Sequence, residues 1–343
     1  MNAALGERLE ALRGSVAYRH YEHVRDRVLQ IKELEAERRA STFEPSAYWQ
    51  EELANFEYMF DASPLVIEKL RHHTYHITGL RVYDYRSNRD QVKSRFAQKL
   101  KALVAADGAN LAVPESRALG GFGFEIDGAL YNIDTLKFYE ALIALNRGAV
   151  LEDLRRATER RLVWEIGAGW GGFGYQIRTL CPNVTYVITD FPELFLFSAT
   201  YLMTAFPDAR VRFFGEVPPD RTFADWQELD FVFVPDTFHY AVRPERVDLT
   251  VNMVSFQEMT TQQVEAYVRR AHELGCPFLY SLNRDRSHYN LELSSVRSVL
   301  SKYYWPRESK ILPVSYTKML DEEPDHPDRE YKHVIGWRRI QSL

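Results

Sequence analysis

Through the first 150 residues, apolar positions recur at helical spacing. Val24, Val28, Ile31 and Leu34 fall on one face of a charged segment from about residue 16 to 40. Trp49, Leu53, Phe56 and Phe60 form a second stripe after Pro45-Ser46. Val92, Phe96, Leu100 and Leu103 mark another, closed by Gly108. Ser63-Pro64 reads as an N-cap followed by a first-turn proline, which opens a further helix. Asp134-Thr135 reads as the cap of a helix running to about Asn146. The segment before it, ALGGFGFEIDGALYN (118–132), is glycine-rich, aromatic and too irregular for a helix.

The periodicity changes near residue 160. VWEIG (163–167), VTYVIT (184–189), FVFVP (231–235), DLTVNMV (248–254) and PFLYSL (277–282) are short β-rich runs with helical stretches between most of them. Such alternation predicts an α/β fold with a parallel sheet covered by helices on both faces. ILPVSY (311–316) and HVIGWRRI (333–340) read as a closing hairpin around a polar loop. The expected organisation is a helical N-terminal region, residues 1–150, which shapes the substrate side, and an α/β domain, residues 151–343, which binds a cofactor.

The candidate chemistry begins at VWEIGAGWGGFG (163–174), an apolar run followed by glycines at 167, 169, 171, 172 and 174. Glycines here let the chain turn from strand to helix and let a ligand approach the backbone. Gly167, Gly169 and Gly172 make the G-x-G-x-x-G of a dinucleotide fold. Glu165 with Gly167, Gly169 and Gly171 resembles the first motif of class I S-adenosylmethionine (SAM) methyltransferases. Asp190 ends the second β-run, where a carboxylate can accept hydrogen bonds from ribose hydroxyls. Both cofactors carry an adenosine ribose, so Asp190 indicates a nucleoside without separating them. Glu165 suits the ammonium of the methionyl end. Asn252, Ser255, Gln257 and Glu258 stand at and beyond the fourth run, the edge where open α/β sheets bind ligands. These features favour SAM, and a nicotinamide-dependent oxidoreductase stays as the alternative.

Composition narrows the classes further. A hydrophobic content of 45% and a charged content of 27% are ordinary for a globular protein. The net charge of −5 offers no basic field for a nucleic-acid backbone. FPELFLFSATYLMTAF (191–206) is too short for a membrane span and carries Glu193. MNAALGERLEALRG lacks the layout of a secretory leader, and Cys181 and Cys276 are the only cysteines. A cytoplasmic location is therefore expected, with no membrane or nucleic-acid partner. Self-association stays open, a homo-oligomer being compatible with the sequence. The 20 Tyr, 20 Phe and 6 Trp are read chiefly as packing residues.

EIGAGWGGFG, TDFPEL and VNMVSFQEMT together resemble the sugar O-methyltransferase family of SAM-dependent enzymes. YWQEELANFEYMF, LRHHTYHITG and the glycine-rich segment leading to Asn132 extend the likeness over about residues 45 to 340. The resemblance implies a Rossmann-like, seven-stranded class I methyltransferase sheet ending in an antiparallel hairpin. It also implies methylation of a hydroxyl on a sugar or sugar-containing metabolite. O- or N-methylation of a non-sugar metabolite stays open, as does a binding protein on a degenerate fold. Asp190-Phe191-Pro192 is similar to the Asp-Leu-Pro of plant-type small-molecule O-methyltransferases, which adds Phe191 to the cofactor side. The His-Asp pair of those enzymes falls on Gln257-Glu258, and Gln257 cannot take a proton.

An alcohol is a poor nucleophile while protonated, so a base is sought beside the acceptor. Glu258 and His288 are the candidates, both just past strand ends. Asp236, after FVFVP, belongs near the adenine if that run is the third strand, a place for which VRFFGEV (211–217) competes. Asn252 completes the cofactor set. No metal is expected: Asp285 with Glu258 lacks a spacing signature, and His72 and His76, four apart, lack a third ligand.

Overall fold

A computed structural model describes residues 3–37, 45–86, 88–286, 290–323, 326 and 329–340. The helical half comprises α1 (Ala3–Arg13), α2 (Val16–Glu37), α3 (Ala47–Ala54), α4 (Pro64–Glu68), α5 (Tyr75–Thr78), α6 (Asp90–Ala106), α7 (Ile133–Arg147) and α8 (Val150–Arg156). A small hairpin, β1 (Phe124–Ile126) with β2 (Ala129–Tyr131), interrupts it inside the segment read as irregular.

Local chemistry accounts for most of these boundaries. In α2 the expected face is buried at Val24, Val28 and Ile31, and Tyr21 extends it, while Leu34 stays exposed. The stripe from Trp49 to Phe60 is not one helix. α3 ends at Ala54, and Phe56 and Phe60 ride on a following 3₁₀ turn. α6 stops at Ala106, capped by Asp107 rather than reaching Gly108. α7 starts slightly earlier than the sequence suggests. Asn132 is its N-cap, accepting from Thr135 N, while the Thr135 hydroxyl takes the Asn132 N–H in a reciprocal box.

The α/β half holds β3 (Arg161–Ile166), α9 (Gly172–Leu180), β4 (Val184–Asp190), α10 (Pro192–Ala205), β5 (Val211–Phe213), β6 (Phe231–Pro235), β7 (Leu249–Met253), α11 (Thr261–Glu273), β8 (Phe278–Asn283), α12 (Val296–Tyr303), β9 (Tyr304–Ser309) and β10 (Lys332–Arg338). The eight strands from β3 onward form a sheet in the order β5-β6-β4-β3-β7-β8-β10-β9. The first six run parallel, and β10 pairs antiparallel with both β8 and β9. This is the Rossmann-like sheet with a late antiparallel hairpin expected of a class I methyltransferase fold, with eight strands among the described residues where seven were expected.

The pairing decides between two candidates for the third strand and corrects the expected hairpin. β6, not the 211–217 run, lies beside β4, so Asp236 follows the third strand. The partner of β10 is Tyr304–Ser309, not ILPVSY. Ile311, Val314 and Tyr316 are apolar because they are buried as a loop, packed on the core without a ladder.

Alternation along the strands divides the core. Leu162, Trp164 and Ile166 face α11 and α12, whereas Val163 faces the other side with α7, α9, α10 and the N-terminal helices. Glu165 shares the Val163 face, so its carboxyl points away from the α11 side. The apolar stretch 191–206 is α10, buried from Pro192 to Leu202 because it lies between the sheet and α2. Among the described residues no helix is long and apolar enough to cross a membrane.

Candidate active site

The strand order reverses between β3, β4 and β7, and a cavity of about 490 Å³ opens at their carboxyl ends. Glu165, Gly167, Gly169, Asp190, Phe191, Asp236 and Glu258 all line it. β3 ends in two glycines with left-handed backbone, Gly167 at φ +69° and Gly169 at φ +58°. A Cβ on Gly167 would stand 2.1 Å from Ser255 Oγ, so only glycine lets the loop pass under the β7 end. The Gly169 N–H donates to Asp190 Oδ2 at 2.8 Å, and the Phe191 N–H donates to Asp190 Oδ1 at 2.9 Å. Asp190 thus braces both the glycine loop and the start of α10, with lone pairs left on each oxygen for a ligand.

Asn252 and Gly171 have a different place from the one anticipated: neither lines the cavity. Asn252 is fully buried beneath it, where its amide donates to Ile166 O at 2.9 Å and to Ser255 Oγ. Its Oδ1 accepts from Phe256 N and from Asn283 Nδ2, at 3.0 and 2.8 Å. It ties the ends of β3, β7 and β8 together. Gly171 caps α9 at φ +83° and packs against Ser198 of α10. His288 lies outside the described residues. Gln257, aligned with the histidine of plant-type enzymes, is a bracket: its Oε1 accepts from Arg284 N at 3.0 Å and its Nε2 donates to Tyr331 Oη at 3.4 Å.

Burial dominates the electrostatics. The Glu165 carboxyl accepts from Tyr186 Oη at 2.9 Å, yet loss of water and the nearby Asp190 push it up to about 8. Asp190 is pushed up to about 7 by burial, against its backbone N–H donors. Glu258 accepts from Trp49 Nε1 at 3.0 Å and still rises to about 8, through burial and the charges of Asp190 and Glu52. Asp236 lies well above the ordinary carboxylate range for the same reason, with Glu35 adding to it. Among the described residues, six carboxylates (Glu52, Asp134, Glu165, Asp190, Asp236 and Glu258) line the cavity against one lysine, Lys137, and one histidine, His76.

Much of the wall comes from residues that sequence reasoning did not single out for a site. Trp49, Glu52, Tyr75 and Ile77 arrive from the helical half, and Tyr316 and Tyr331 from the chain flanking the last loop. Asp134, read as a helix cap, instead takes Trp170 Nε1 at 3.0 Å and Lys137 Nζ at 3.0 Å. The buried Arg71 lies 3.5 Å from the Trp170 ring centroid and donates to Glu115 at 2.7 Å, which seats the glycine loop on the helical half. His72 and His76 do not share a helix. His72 sits in a 3₁₀ turn edge-on to Phe122, and His76 belongs to α5 in the cavity wall. Among the described residues no three His, Cys, Asp or Glu side chains are grouped to hold a metal ion.

No family profile matches the chain, and no curated protein matches it. Solved structures give fainter likenesses. The chain is similar to an O-methyltransferase family protein from Burkholderia thailandensis, at 12% identity over 62% of this chain and 62% of that one, with a TM-score of 0.35. It is similar to magnesium protoporphyrin IX methyltransferase from Synechocystis with bound SAM, at 13% identity over 60% and 79%, with a TM-score of 0.37. A bifunctional kinase-methyltransferase, WbdD, matches at 13% identity over 70% and 46%, with a TM-score of 0.38. The chain spans less than two thirds of the first and third of these proteins.

Proposed function

We propose that the chain is a SAM-dependent methyltransferase acting on a hydroxyl of a sugar or sugar-containing metabolite. The observation that supports the cofactor most is the acidic lining of the cavity. A ligand with a sulfonium and an ammonium stabilises the ionised forms of Glu165, Asp190 and Glu258, which burial otherwise shifts toward protonation near neutral pH, whereas the pyrophosphate of a nicotinamide dinucleotide opposes them.

The donor set fits SAM part by part. Glu165 would hold the ammonium, Asp190 with Phe191 the ribose side, and Asp236 the adenine side. When bound, SAM supplies a methyl group on a positively charged sulfur. Residues 1–150 would form the acceptor side, since Trp49, Glu52, Tyr75 and His76 enter the wall from there. Their rings, with Tyr316 and Tyr331, offer flat apolar faces of the kind that stack on a sugar. Glu258 stands at this side, but one of its oxygens already takes the Trp49 N–H and burial favours its protonated form. It therefore suits orienting the acceptor hydroxyl better than removing its proton. Enclosure and alignment then supply much of the acceleration.

The sugar rests on the motif resemblance together with this aromatic wall. Incubation with methyl-labelled SAM and matched panels of monosaccharides, phenols and amines tests it. Label in the monosaccharides is expected, and label confined to phenols or amines would replace the sugar reading with a non-sugar one.

A further inference from the structure

His76 and Glu52 form a side-chain pair in the cavity wall, outside the set of residues proposed to hold the cofactor. His76 Nδ1 lies 3.1 Å from Glu52 Oε2, and both residues line the cavity. Phe56 and Tyr75 stand edge-on to the imidazole, with centroids 6.1 and 5.4 Å away, and restrict its rotation. A carboxylate only accepts hydrogen bonds, so an ionised Glu52 places the proton on Nδ1 and leaves Nε2 as an acceptor. The side chain keeps 40% of its surface exposed, so water reaches the imidazole.

The surroundings put this pair beside the expected reaction. Ile77, the next residue, lies over Gly169, 2.8 Å from where a Cβ there would stand. One turn before Glu52 on α3, Trp49 holds Glu258. The neighbours of the pair thus touch the glycine loop on one side and the turn after β7 on the other, in the cavity where the cofactor reading puts the methyl donor.

We infer that His76, oriented by Glu52, is the base that takes the proton of the acceptor hydroxyl, an inference that rests on the methyltransferase reading. As the acceptor's O–H bond breaks toward Nε2, the oxygen's electron pair forms the new bond to the methyl carbon. The pair of the broken carbon–sulfur bond stays on sulfur and cancels its charge. The proton rests on the imidazolium, stabilised by Glu52, and passes to water. His76 is then a catalytic residue and Glu52 a positioning residue.

The test is read on the ring as well as on product. Wild type, Glu52→Gln and His76→Gln are labelled with ¹⁵N at histidine and titrated with S-adenosylhomocysteine, the His76 signal being the one missing from His76→Gln. In bound wild type, Nε2 is expected without a proton and Nδ1 with one, and Glu52→Gln should lose that preference. His76→Gln should bind S-adenosylhomocysteine within about twofold of wild type and transfer methyl to the best monosaccharide of the panel roughly 10²–10⁴-fold more slowly. A proton on Nε2 in bound wild type would overturn the inference while leaving the methyltransferase reading intact. So would full turnover by His76→Gln, or its loss of S-adenosylhomocysteine binding. Failure of wild type to bind S-adenosylhomocysteine would overturn the reading itself, and the base with it.

Discussion

The indole N–H of Trp49 donates to Glu258 Oε2 at 3.0 Å, joining α3 of the helical half to the turn after β7 across 209 positions of chain. Trp49 also packs 5.4 Å from the ring of Phe191, which follows Asp190. The contact therefore ties the helical half to two edges of the cavity. Trp49→Phe keeps the ring contact and removes the donor, and should lower stability by about 1 kcal/mol. The midpoint of urea unfolding measures this. An unchanged midpoint would show that the hydrogen bond contributes nothing in solution.

Glu165, Asp190 and Glu258 carry folded-state values of about 8, 7 and 8. Unfolded carboxyls titrate near 4, so from about pH 4 to 8 the folded chain holds more protons. Stability of the ligand-free protein should therefore fall as pH rises through that window. A cationic ligand favours the ionised carboxylates, so S-adenosylmethionine should bind more tightly as pH rises from about 6 to 8, with release of protons. Calorimetry in buffers of different ionisation enthalpy reads that release directly. Proton uptake on binding would contradict the assignment of these groups.

The elements legible in the sequence are those whose cause is local. The β3–glycine loop–α9 turn follows from an apolar run and left-handed glycines, and Asp190 follows from its place at a strand end. Strand pairing was less legible. YWPRES is polar and contains Pro306, whereas ILPVSY is apolar because Ile311, Val314 and Tyr316 pack as a loop. Nothing local reveals that Trp49, Glu52 and His76 meet the end of β7, because such contacts depend on how the helical half docks. Asn252 stands at the expected edge, but periodicity cannot tell a residue that faces the ligand from one that braces the strands beneath it.

Gly167→Ala asks a residue with a side chain to adopt φ +69° with its Cβ 2.1 Å from Ser255 Oγ. Strain of this kind costs about 1–3 kcal/mol, and S-adenosylhomocysteine affinity should drop by roughly tenfold or more. Adding Ser255→Gly removes the clash and should restore part of both losses, read by thermal melting and calorimetry. A single variant that behaves like wild type would mean that the loop has another conformation.

Lys99 is fully buried, its ammonium held by Ser315 O and Lys318 O with Glu140 3.8 Å away, and burial lowers it to about 8. It clamps the loop that brings Tyr316 and Thr317 into the cavity. Lys99→Met leaves two carbonyls and Glu140 without this partner, an expected loss of about 3–5 kcal/mol. Hydrogen exchange across residues 312–318 should quicken. A loss under about 1 kcal/mol with unchanged exchange would show that the loop is held by its apolar residues alone.

A cavity with six carboxylates and a braced glycine loop is expected to take a cationic nucleoside. Titration calorimetry of the wild-type chain with S-adenosylmethionine, S-adenosylhomocysteine, NAD and NADP at one ionic strength tests this most directly. Binding of both adenosyl sulfur compounds, with no heat from either dinucleotide and with S-adenosylmethionine weakened by Asp190→Asn, is the predicted result. Binding of NAD or NADP in place of S-adenosylmethionine would contradict it.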